Sequence, residues 1–248
     1  MAEWIGEYFE RGYAQRWGLE PPSEATYEEV RRLSGLLQLG TGDRLLDIGC
    51  GHGRHAVAFS AHGIAVTGLD RSAALLSRAR ALADWSRVAV DWVRGDMRRQ
   101  PFRSRRFRAA ILFDAFGFFA TEEEHETALR EAARLIGPGG RLGLKVVNAE
   151  PILARFQSAA HEERAGVIVD ISRALTLDPP RITERIVISG ARGDGQYERS
   201  QRLYRIDDLS VALRTAGLAM TAVLADSLGA AFDPTRSPAM LVICEHAT

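Results

Sequence analysis

The sequence has few of the features that mark secreted, membrane-spanning or metal-stabilised proteins. Its 248 residues include two cysteines, Cys50 and Cys244, and neither belongs to a C-x-x-C pair or to a zinc-ligand spacing. No apolar run approaches the ~20 residues that cross a bilayer. The first residues carry acids and aromatics instead of a basic segment followed by an apolar one, so no signal peptide is expected. These absences predict two free thiols, no bound metal and a cytoplasmic location.

Lysine is almost absent as well, since Lys145 is the only one and arginine supplies the rest of the positive charge. Lys plus Arg and Asp plus Glu number 32 each, which gives a formal net charge of zero. Such a chain has no overall charge to attract nucleic acid or a membrane. Arginines cluster from Arg98 to Arg108, but the acidic run Glu122–Glu124 follows, which is typical of a solvated, charge-balanced face. We therefore expect neither nucleic acid nor membrane as a partner.

The most informative stretch that is present is the run LLDIGCGHGRH at residues 45–55. An apolar strand leads into a glycine-rich turn, and glycine lets the backbone come close to a ligand. The helix that follows has unpaired N–H groups that favour a bound anion. A dinucleotide loop reads G-x-G-x-x-G or ends in Ala, but Arg54 stands where the third small residue belongs. The glycines at 49, 51 and 53 behind Asp47 instead form the pattern D-x-G-x-G-x-G.

Residues 44 to 147 alternate between short apolar segments and helical patterns. This alternation predicts a parallel, doubly wound α/β sheet that is covered on both faces and binds ligands at the carboxyl ends of its strands. The predicted strands are Arg44–Ile48, Ala65–Leu69, Val88–Val93, Ala109–Phe113 and Leu142–Val147, and the predicted helices are Arg54–His62, Ser72–Trp85 and Glu122–Leu135.

The pattern changes after residue 150. Three β-rich stretches separated by turn residues predict an antiparallel meander, with strands at Val167–Leu175, Arg181–Ser189 and Tyr197–Tyr204. A short helix at Asp207–Ala216 follows it, and then two strands at Leu218–Leu224 and Ala239–Glu245. We therefore predict a helical cap at residues 1–40, a core at residues 41–150 and 206–248, and an inserted meander, or substrate lid, at residues 151–205.

The N-terminal segment reads as helical and carries an aromatic stripe. Its aromatic residues recur at intervals of three to five positions, as Trp4, Tyr8, Phe9, Tyr13 and Trp17. The stripe either packs on the core or belongs to a cap that folds over an active site. On the second interpretation, Trp4, Tyr8, Tyr13 and Trp17 are candidate substrate contacts.

Three further segments follow the glycine loop at informative places. Asp70 ends the second strand about 20 residues after the loop, where an acid suits hydrogen bonds to both hydroxyls of a ribose. Asp96 and Met97 end the third strand, and Gly137–Gly140 reads as a turn that leads into the fifth. The ribose position fits nicotinamide cofactors as well as other nucleosides, so Asp70 alone does not choose between them.

Together these segments resemble the class I S-adenosylmethionine (AdoMet) methyltransferases, of the bacterial small-molecule type. The resemblance runs from about residue 8 to 246 and includes Phe116–Phe119, Arg202–Tyr204 and Ser237-Pro238. It implies a Rossmann-like seven-stranded sheet with an antiparallel last strand, and AdoMet as cofactor with S-adenosylhomocysteine as product. The implied cofactor residues are Asp47, Gly49, Cys50, Gly51, Asp70, Arg71, Asp96, Met97 and Phe113.

The departures from the family lie on the substrate side. Asp114-Ala115 stands where members often have Asn-Ser or Thr-Ser, and Lys145–Asn148 lacks the acid that many members carry at the end of the fifth strand. The resemblance therefore predicts the cofactor but not the acceptor.

Methyl transfer is expected to be an in-line displacement, in which the protein aligns a nucleophile, excludes water and takes up a proton where the nucleophile carries one. Asp114 follows the fourth strand and is the candidate base, or else it orients the substrate. His52 in the loop and Tyr204 after the meander are further catalytic candidates, and Phe116 is a candidate substrate contact. We expect His55 to pack or hydrogen-bond within its own helix.

The sequence predicts an AdoMet-dependent methyltransferase acting on a small molecule, with O-, N- or C-methylation left open and an aromatic lid that suits natural-product chemistry. RNA modification on the same fold is an alternative, which the neutral charge opposes. A nicotinamide-dependent oxidoreductase is another, which Arg54 opposes. A protein that keeps AdoMet as a structural or regulatory ligand is also consistent with the cofactor residues, and both a monomer and a homodimer are open.

Overall fold

The computed structural model describes residues 6–247, which form two β-sheets and the helices that cover them. In chain order the strands are β1 (Arg44–Ile48), β2 (Ala65–Asp70), β3 (Val90–Arg94), β4 (Phe107–Phe113), β5 (Ile136–Val147), β6 (Ala159–Arg164), β7 (Val167–Leu177), β8 (Pro180–Gly190), β9 (Gly195–Arg202), β10 (Leu218–Leu224) and β11 (Ala239–His246). The helices are α1 (Tyr8–Gly12), which is π-helical, α2 (Tyr13–Trp17), α3 (Glu24–Leu36), α4 (Arg54–Ala61), α5 (Ala73–Ser86), α6 (Glu122–Leu135), α7 (Ala149–Ala154) and α8 (Ile206–Thr215). Within the described residues, no helix has the length and apolar character needed to cross a membrane.

The larger sheet has seven strands in the order β10-β11-β5-β4-β1-β2-β3. Strands β1 to β5 are parallel, whereas β11 lies antiparallel between β5 and β10. Parallel neighbours need crossover connections, and here α4, α5 and α6 supply three of them, while a loop at residues 95–106 connects β3 to β4. The predicted α/β fold, with a seven-stranded sheet and an antiparallel last strand, is confirmed.

Alternating side chains divide the core of this sheet into two layers. Leu46 and Ile48 of β1 pack on the side covered by α6 and α8, while Leu45 packs on the side covered by α3 and α4. In β11 the same alternation sends Met240 to the first layer and Leu241 to the second. Because both faces are buried, the strands read as nearly continuous apolar runs. Polar side chains therefore lie mainly at the ends of these strands, where a ligand can reach them.

The glycine-rich segment Gly137–Gly140 differs from its predicted role as a turn before the fifth strand. Strand β5 already begins at Ile136, which pairs with Phe107 of β4, and the next pair is Arg141 with Ala109. Residues 137–140 therefore form a large bulge inside the strand, in which Gly139 adopts a φ of +66°. The segment still redirects the chain, but it does so without leaving the sheet.

The smaller sheet is an antiparallel meander in the order β6-β7-β8-β9. Strand β6 and helix α7 were not predicted. The sequence of β6, AAHEER, has a largely polar composition and none of its side chains is fully buried, so it lacks the apolar alternation of a strand. It forms because its backbone pairs with β7 along its whole length. The predicted meander is thus present with one additional strand.

The aromatic stripe of the N-terminal segment packs on this meander and not on the main sheet. Tyr8 is fully buried against apolar meander side chains such as Val169 and Ile186. The Tyr197 hydroxyl donates to Gln15 Oε1 over 2.6 Å. One side of the stripe is therefore core, and the other faces a cavity, as described below.

The cap is also bonded to the main domain and to the meander by charged groups. The Glu10 carboxylate accepts hydrogen bonds from the backbone N–H groups of Ala73 and Ala74, over 3.1 and 3.2 Å, at the first turn of α5. An acid at a helix N-terminus is stabilised by the exposed N–H groups and the helix dipole. Arg16 forms an ion pair of 2.6 Å with Glu162 of β6. These bonds hold the cap between the two sheets.

Candidate active site

A cavity lies at the carboxyl ends of β1, β2, β3 and β4, beneath the N-terminal cap. Most of the residues that the sequence analysis selected line it. These are Tyr13, Asp47, Gly49, Cys50, Gly51, His52, Asp70, Arg71, Asp96, Met97, Phe113 and Asp114. They come from the glycine loop, three strand ends and the cap, so the fold brings together groups that are far apart in the sequence.

The glycine loop is shaped by two different requirements. Gly49 adopts a φ of +71°, and a Cβ there would lie 2.5 Å from the Cβ of Ala115. Gly51 also has a positive φ, of +56°, but a Cβ there would meet no atom within 4 Å. The first glycine therefore allows two loops to pack closely, and the second leaves open space beside the backbone where a ligand can approach.

Asp70 is held by the backbone on both sides of its carboxylate. One oxygen accepts from the N–H of Gly51 and the other from the N–H of Ser72, each over 2.8 Å. Burial raises the pKa of Asp70, and the two backbone hydrogen bonds oppose that rise. Each oxygen keeps a further lone pair, so the carboxylate is positioned to accept hydrogen bonds from a pair of vicinal hydroxyls.

Asp47 is the least satisfied polar group of the cavity. Its side chain is buried, and within the described residues its Oδ2 has no hydrogen-bond partner. Burial, followed by the nearby charge of Asp70, raises the pKa of Asp47 to about 7. A buried acid without a partner is costly and is relieved by a cation. AdoMet carries a sulfonium and an ammonium group as well as a ribose, so this site fits it.

Asp96 is engaged by a neighbouring arginine. Its Oδ1 accepts from the Arg98 backbone N–H over 2.9 Å and from Nε over 3.0 Å, while Oδ2 accepts from Nη2 over 2.5 Å. Burial acts to raise the pKa of Asp96, but the hydrogen bonds and charge of Arg98 outweigh it and lower the pKa. The guanidinium lies 4.7 Å from the centre of the Phe119 ring. Asp96 thus faces the cavity as a carboxylate with a fixed orientation.

The opposite end of the cavity is bounded by aromatic rings and one acid. Phe9 lies 6.1 Å from Tyr13 and 5.2 Å from Phe118, measured between ring centres. Asp114 adopts a φ of +56°, unusual for a residue other than glycine, and its side chain is 57% exposed. Lys145 Nζ lies 3.2 Å from Asp114 Oδ2. This end can therefore surround an apolar or planar group and hold a polar group beside it.

The two histidines near the loop make contacts that the sequence did not indicate. His52 Nε2 lies 3.2 Å from the carbonyl oxygen of Glu20, and burial lowers the pKa of His52. His55 lines the cavity, packs edge-on against Phe113, and places Nε2 3.3 Å from Glu29 Oε2 of α3. His55 was expected to pack or hydrogen-bond within its own helix. Its Nε2 does lie 3.2 Å from Arg54 Nη2 of α4, but its carboxylate partner Glu29 belongs to a different helix.

Four of the selected residues lie outside the cavity lining. Tyr204 and Phe116 are 1% exposed, and their rings stack 5.5 Å apart in the core beside α6 and α8. Tyr8 is buried in the meander core, and Trp17 is 40% exposed at the end of α2. The structure thus does not support catalytic work by Tyr204 or substrate contact by the other three. Trp4 lies outside the described residues.

Several lining residues were not selected from the sequence as site residues. Phe9, Phe118 and Phe119 contribute aromatic surface, and Arg54 and His55 contribute polar groups. The spacing of the aromatic stripe and the Phe116–Phe119 segment both indicated aromatic residues near the site. Neither pattern indicated which ring of each segment faces the cavity. No group of three or more His, Cys, Asp or Glu side chains suited to a metal ion occurs among residues 6–247.

Comparison with known proteins agrees with this geometry. Residues 45–140 match the family model of a methyltransferase domain. The chain is 33% identical over 175 residues to 27-O-demethylrifamycin SV methyltransferase of Amycolatopsis mediterranei, an alignment that covers 67% of this chain and 62% of that relative. The chain thus spans less than two thirds of this relative's length.

Solved structures share the whole fold. The CcbJ methyltransferase of Streptomyces caelestis superposes with a TM-score of 0.83 at 18% identity, over 97% of this chain and 98% of that one. The AdoMet-bound amino pentose methyltransferase CalS10 of Micromonospora echinaspora superposes with a TM-score of 0.64 at 22% identity, over 94% of each chain. The fold and the site define an AdoMet-binding α/β domain. Residues 45–140 form a methyltransferase domain, and the whole chain shares its fold with solved AdoMet-dependent methyltransferases.

Proposed function

We propose that the protein transfers a methyl group from AdoMet to a small-molecule acceptor in natural-product biosynthesis. One observation carries the proposal: a single cavity joins a nucleoside-type site, built around Asp70 and the unpartnered Asp47, to an aromatic end containing Tyr13 and Asp114. The first end suits AdoMet and the second suits an acceptor. The relatives act on natural-product molecules, as their names state.

AdoMet supplies an activated methyl group on a sulfonium, so the remaining work of the protein is alignment and water exclusion. Asp70 accepts the ribose hydroxyls, and Asp47 compensates positive charge. Asp96 and Met97 border the adenine. The cap and the aromatic rings cover the acceptor and keep water out, while Asp114 orients its polar group. We propose that α1 and α2 form the cap and that the meander at residues 151–205 supports them from behind without lining the cavity. Helix α3, which was predicted as part of the cap, packs on the main sheet and belongs to the core.

An RNA acceptor has less support. The chain has no net charge, and the cluster of arginines is in part paired, because Arg98 is bound to Asp96 and Glu124. A nicotinamide cofactor is opposed by Arg54, which stands where a dinucleotide-binding loop carries its third small residue. We also propose a cytoplasmic location, which agrees with the unpaired thiols of Cys50 and Cys244.

The test is binding followed by transfer. Calorimetric titration should show AdoMet and S-adenosylhomocysteine binding, and NADH not binding. Purified protein with deuterated-methyl AdoMet is then offered 27-O-demethylrifamycin SV, an amino sugar and a short RNA, and products are read by mass. Methyl transfer to a small molecule supports the proposal. AdoMet binding with transfer only to RNA would overturn it, as would tight AdoMet binding without transfer to any of a broad panel of small-molecule acceptors.

A further inference from the structure

A buried carboxylate–imidazole pair lies directly behind the acceptor end of the cavity. Glu29 of α3 and His55 of α4 are each 12% exposed at the side chain, and His55 Nε2 lies 3.3 Å from Glu29 Oε2. The Ser227 hydroxyl, in the turn after β10, donates to the other carboxylate oxygen. Three separate elements therefore meet to fix one imidazole at the cavity wall.

Two neighbours of opposite character contact Nε2 of the ring, since the Glu29 carboxylate only accepts hydrogen bonds and the Arg54 guanidinium only donates them. With Glu29 as the partner, Nε2 carries the proton and Nδ1 keeps its lone pair, whereas Arg54 as the partner would put the proton on Nδ1. Within the described part of the chain, no group donates to or accepts from Nδ1. Arg54 Nη2 also lies 3.2 Å from Nε2 and competes for it. Glu29 remains ionised, since bonds from His55 and Ser227 outweigh burial and lower its pKa to about 2.

Burial and two nearby positive charges favour the neutral form of the imidazole. Burial lowers the pKa of His55, the hydrogen bond to Glu29 raises it, and the charges of Arg54 and of Lys145 on β5 lower it. The net direction is downward from the ordinary value. A neutral imidazole with a free lone pair and a carboxylate behind it is able to accept a proton.

Resting on the proposed methyltransferase activity, we propose that the acceptor group is a hydroxyl and that His55 takes its proton, with Glu29 as a positioning residue. A hydroxyl is a weak nucleophile until its proton is accepted, whereas a neutral amine attacks through its own lone pair. Asp114 already has Lys145 beside one oxygen, which suits it to orienting the acceptor.

The step balances around the acceptor oxygen. This oxygen forms a bond to the methyl carbon, the carbon–sulfur bond breaks, and its electron pair stays on sulfur. The hydroxyl proton passes to Nδ1 of His55, and the imidazolium that forms is stabilised by Glu29. Release of this proton to solvent after transfer restores the neutral ring.

The first test reads the ring directly and needs no acceptor. In nitrogen-15 NMR of the whole protein, His55 is assigned by its loss in His55→Asn. We expect an Nε2–H tautomer that stays neutral down to a pH below the ordinary histidine pKa of about 6.5. Glu29→Gln should disturb the tautomer, whereas Glu28→Gln on the exposed face of the same helix should not. A ring protonated on Nδ1 at neutral pH would contradict the proposal.

The second test measures transfer to 27-O-demethylrifamycin SV and to an amino sugar. His55→Asn should lower kcat with the hydroxyl acceptor by about 100-fold or more while AdoMet affinity changes by less than about threefold. Glu29→Gln should lower kcat by about tenfold and move the acidic limb of the pH–rate profile. His62→Asn, at the other end of α4, is the control for folding.

The outcomes separate this inference from the function on which it rests. Loss of AdoMet binding in the unmodified protein would overturn both. Transfer to the amino sugar alone, with His55→Asn as active as the unmodified protein, would overturn only the hydroxyl acceptor and its base. A loss of AdoMet affinity in His55→Asn that accounts for the whole loss of rate would assign His55 to cofactor binding instead.

Discussion

The two ends of the cavity differ in how their side chains are held. At the AdoMet end, Asp70 is fixed by two backbone N–H groups, and the glycine loop packs against its neighbours through Gly49. At the acceptor end, Asp114 is more than half exposed and Tyr13 comes from the cap. One end is thus built from strand ends of a single sheet, and the other from several elements. A fold constructed in this way can keep one cofactor while its acceptor changes.

The largest effect is expected from Asp70→Ala. The substitution removes the acceptor of two ribose hydroxyls and also frees the N–H groups of Gly51 and Ser72. Loss of two hydrogen bonds to a charged group corresponds to about 3 kcal/mol or more, which is a 100-fold or larger loss of AdoMet affinity. Calorimetry measures it, with Asp84→Asn on the exposed face of α5 as the control. Unchanged affinity would remove Asp70 from the AdoMet site.

Gly49→Ala tests the close packing of the AdoMet end. The added Cβ would meet Ala115 at 2.5 Å in a backbone with a φ of +71°. Gly42→Ala has a similar φ of +83° but open space around it, so it carries the backbone strain without the clash. We expect Gly42→Ala to cost about 1 kcal/mol of unfolding free energy and Gly49→Ala about 2 kcal/mol more. Equal costs in urea denaturation would mean that the loop is free to move.

Asp47 gives the AdoMet end a dependence on pH. Its pKa is raised to about 7, so its contribution to stability is present below the unfolded value of 3.8 and is lost as the pH rises through about 7. A bound cation favours the carboxylate, so AdoMet affinity should increase up to tenfold per pH unit between about pH 5 and 7 and then level off.

Calorimetry in buffers of different ionisation enthalpy should detect one proton released on binding at pH 6. Asp47→Asn, which does not titrate, should abolish both the release and this slope. A proton release that persists in the variant would assign it to another group.

The same contrast explains what the sequence could predict. Residues 45–55 are consecutive, so the strand, the glycine turn and Asp47 could be read together, and Asp70 follows at a fixed interval. The pair Glu29 and His55 is separated by 26 positions, and neither residue is unusual by itself. Only the packing of α3 on α4 brings them together.

Tyr204 and Phe116 were predicted as site residues, but both are buried in the core. Both lie in segments typical of the family. The local sequence does not distinguish an aromatic residue that lines a cleft from one that is buried beneath it. The stacking of these two rings under α6 could not be seen without the register of the sheet and the helices. Local patterns therefore predicted the AdoMet end, whereas the acceptor end depended on tertiary contacts.

The smallest effect on AdoMet is expected at the acceptor end. Tyr13→Phe removes a hydroxyl from the cavity, and Tyr8→Phe removes one from the same stripe on the side buried in the meander. If the two ends are as separate as the contacts indicate, both variants bind AdoMet within about twofold of the unmodified protein. Tyr13→Phe alone should raise the KM of the acceptor, by about five- to tenfold for one hydrogen bond. Steady-state kinetics and calorimetry on both variants measure the difference. A parallel loss of AdoMet affinity in Tyr13→Phe would show that the cap serves both ends, and the acceptor could then not vary independently of the cofactor.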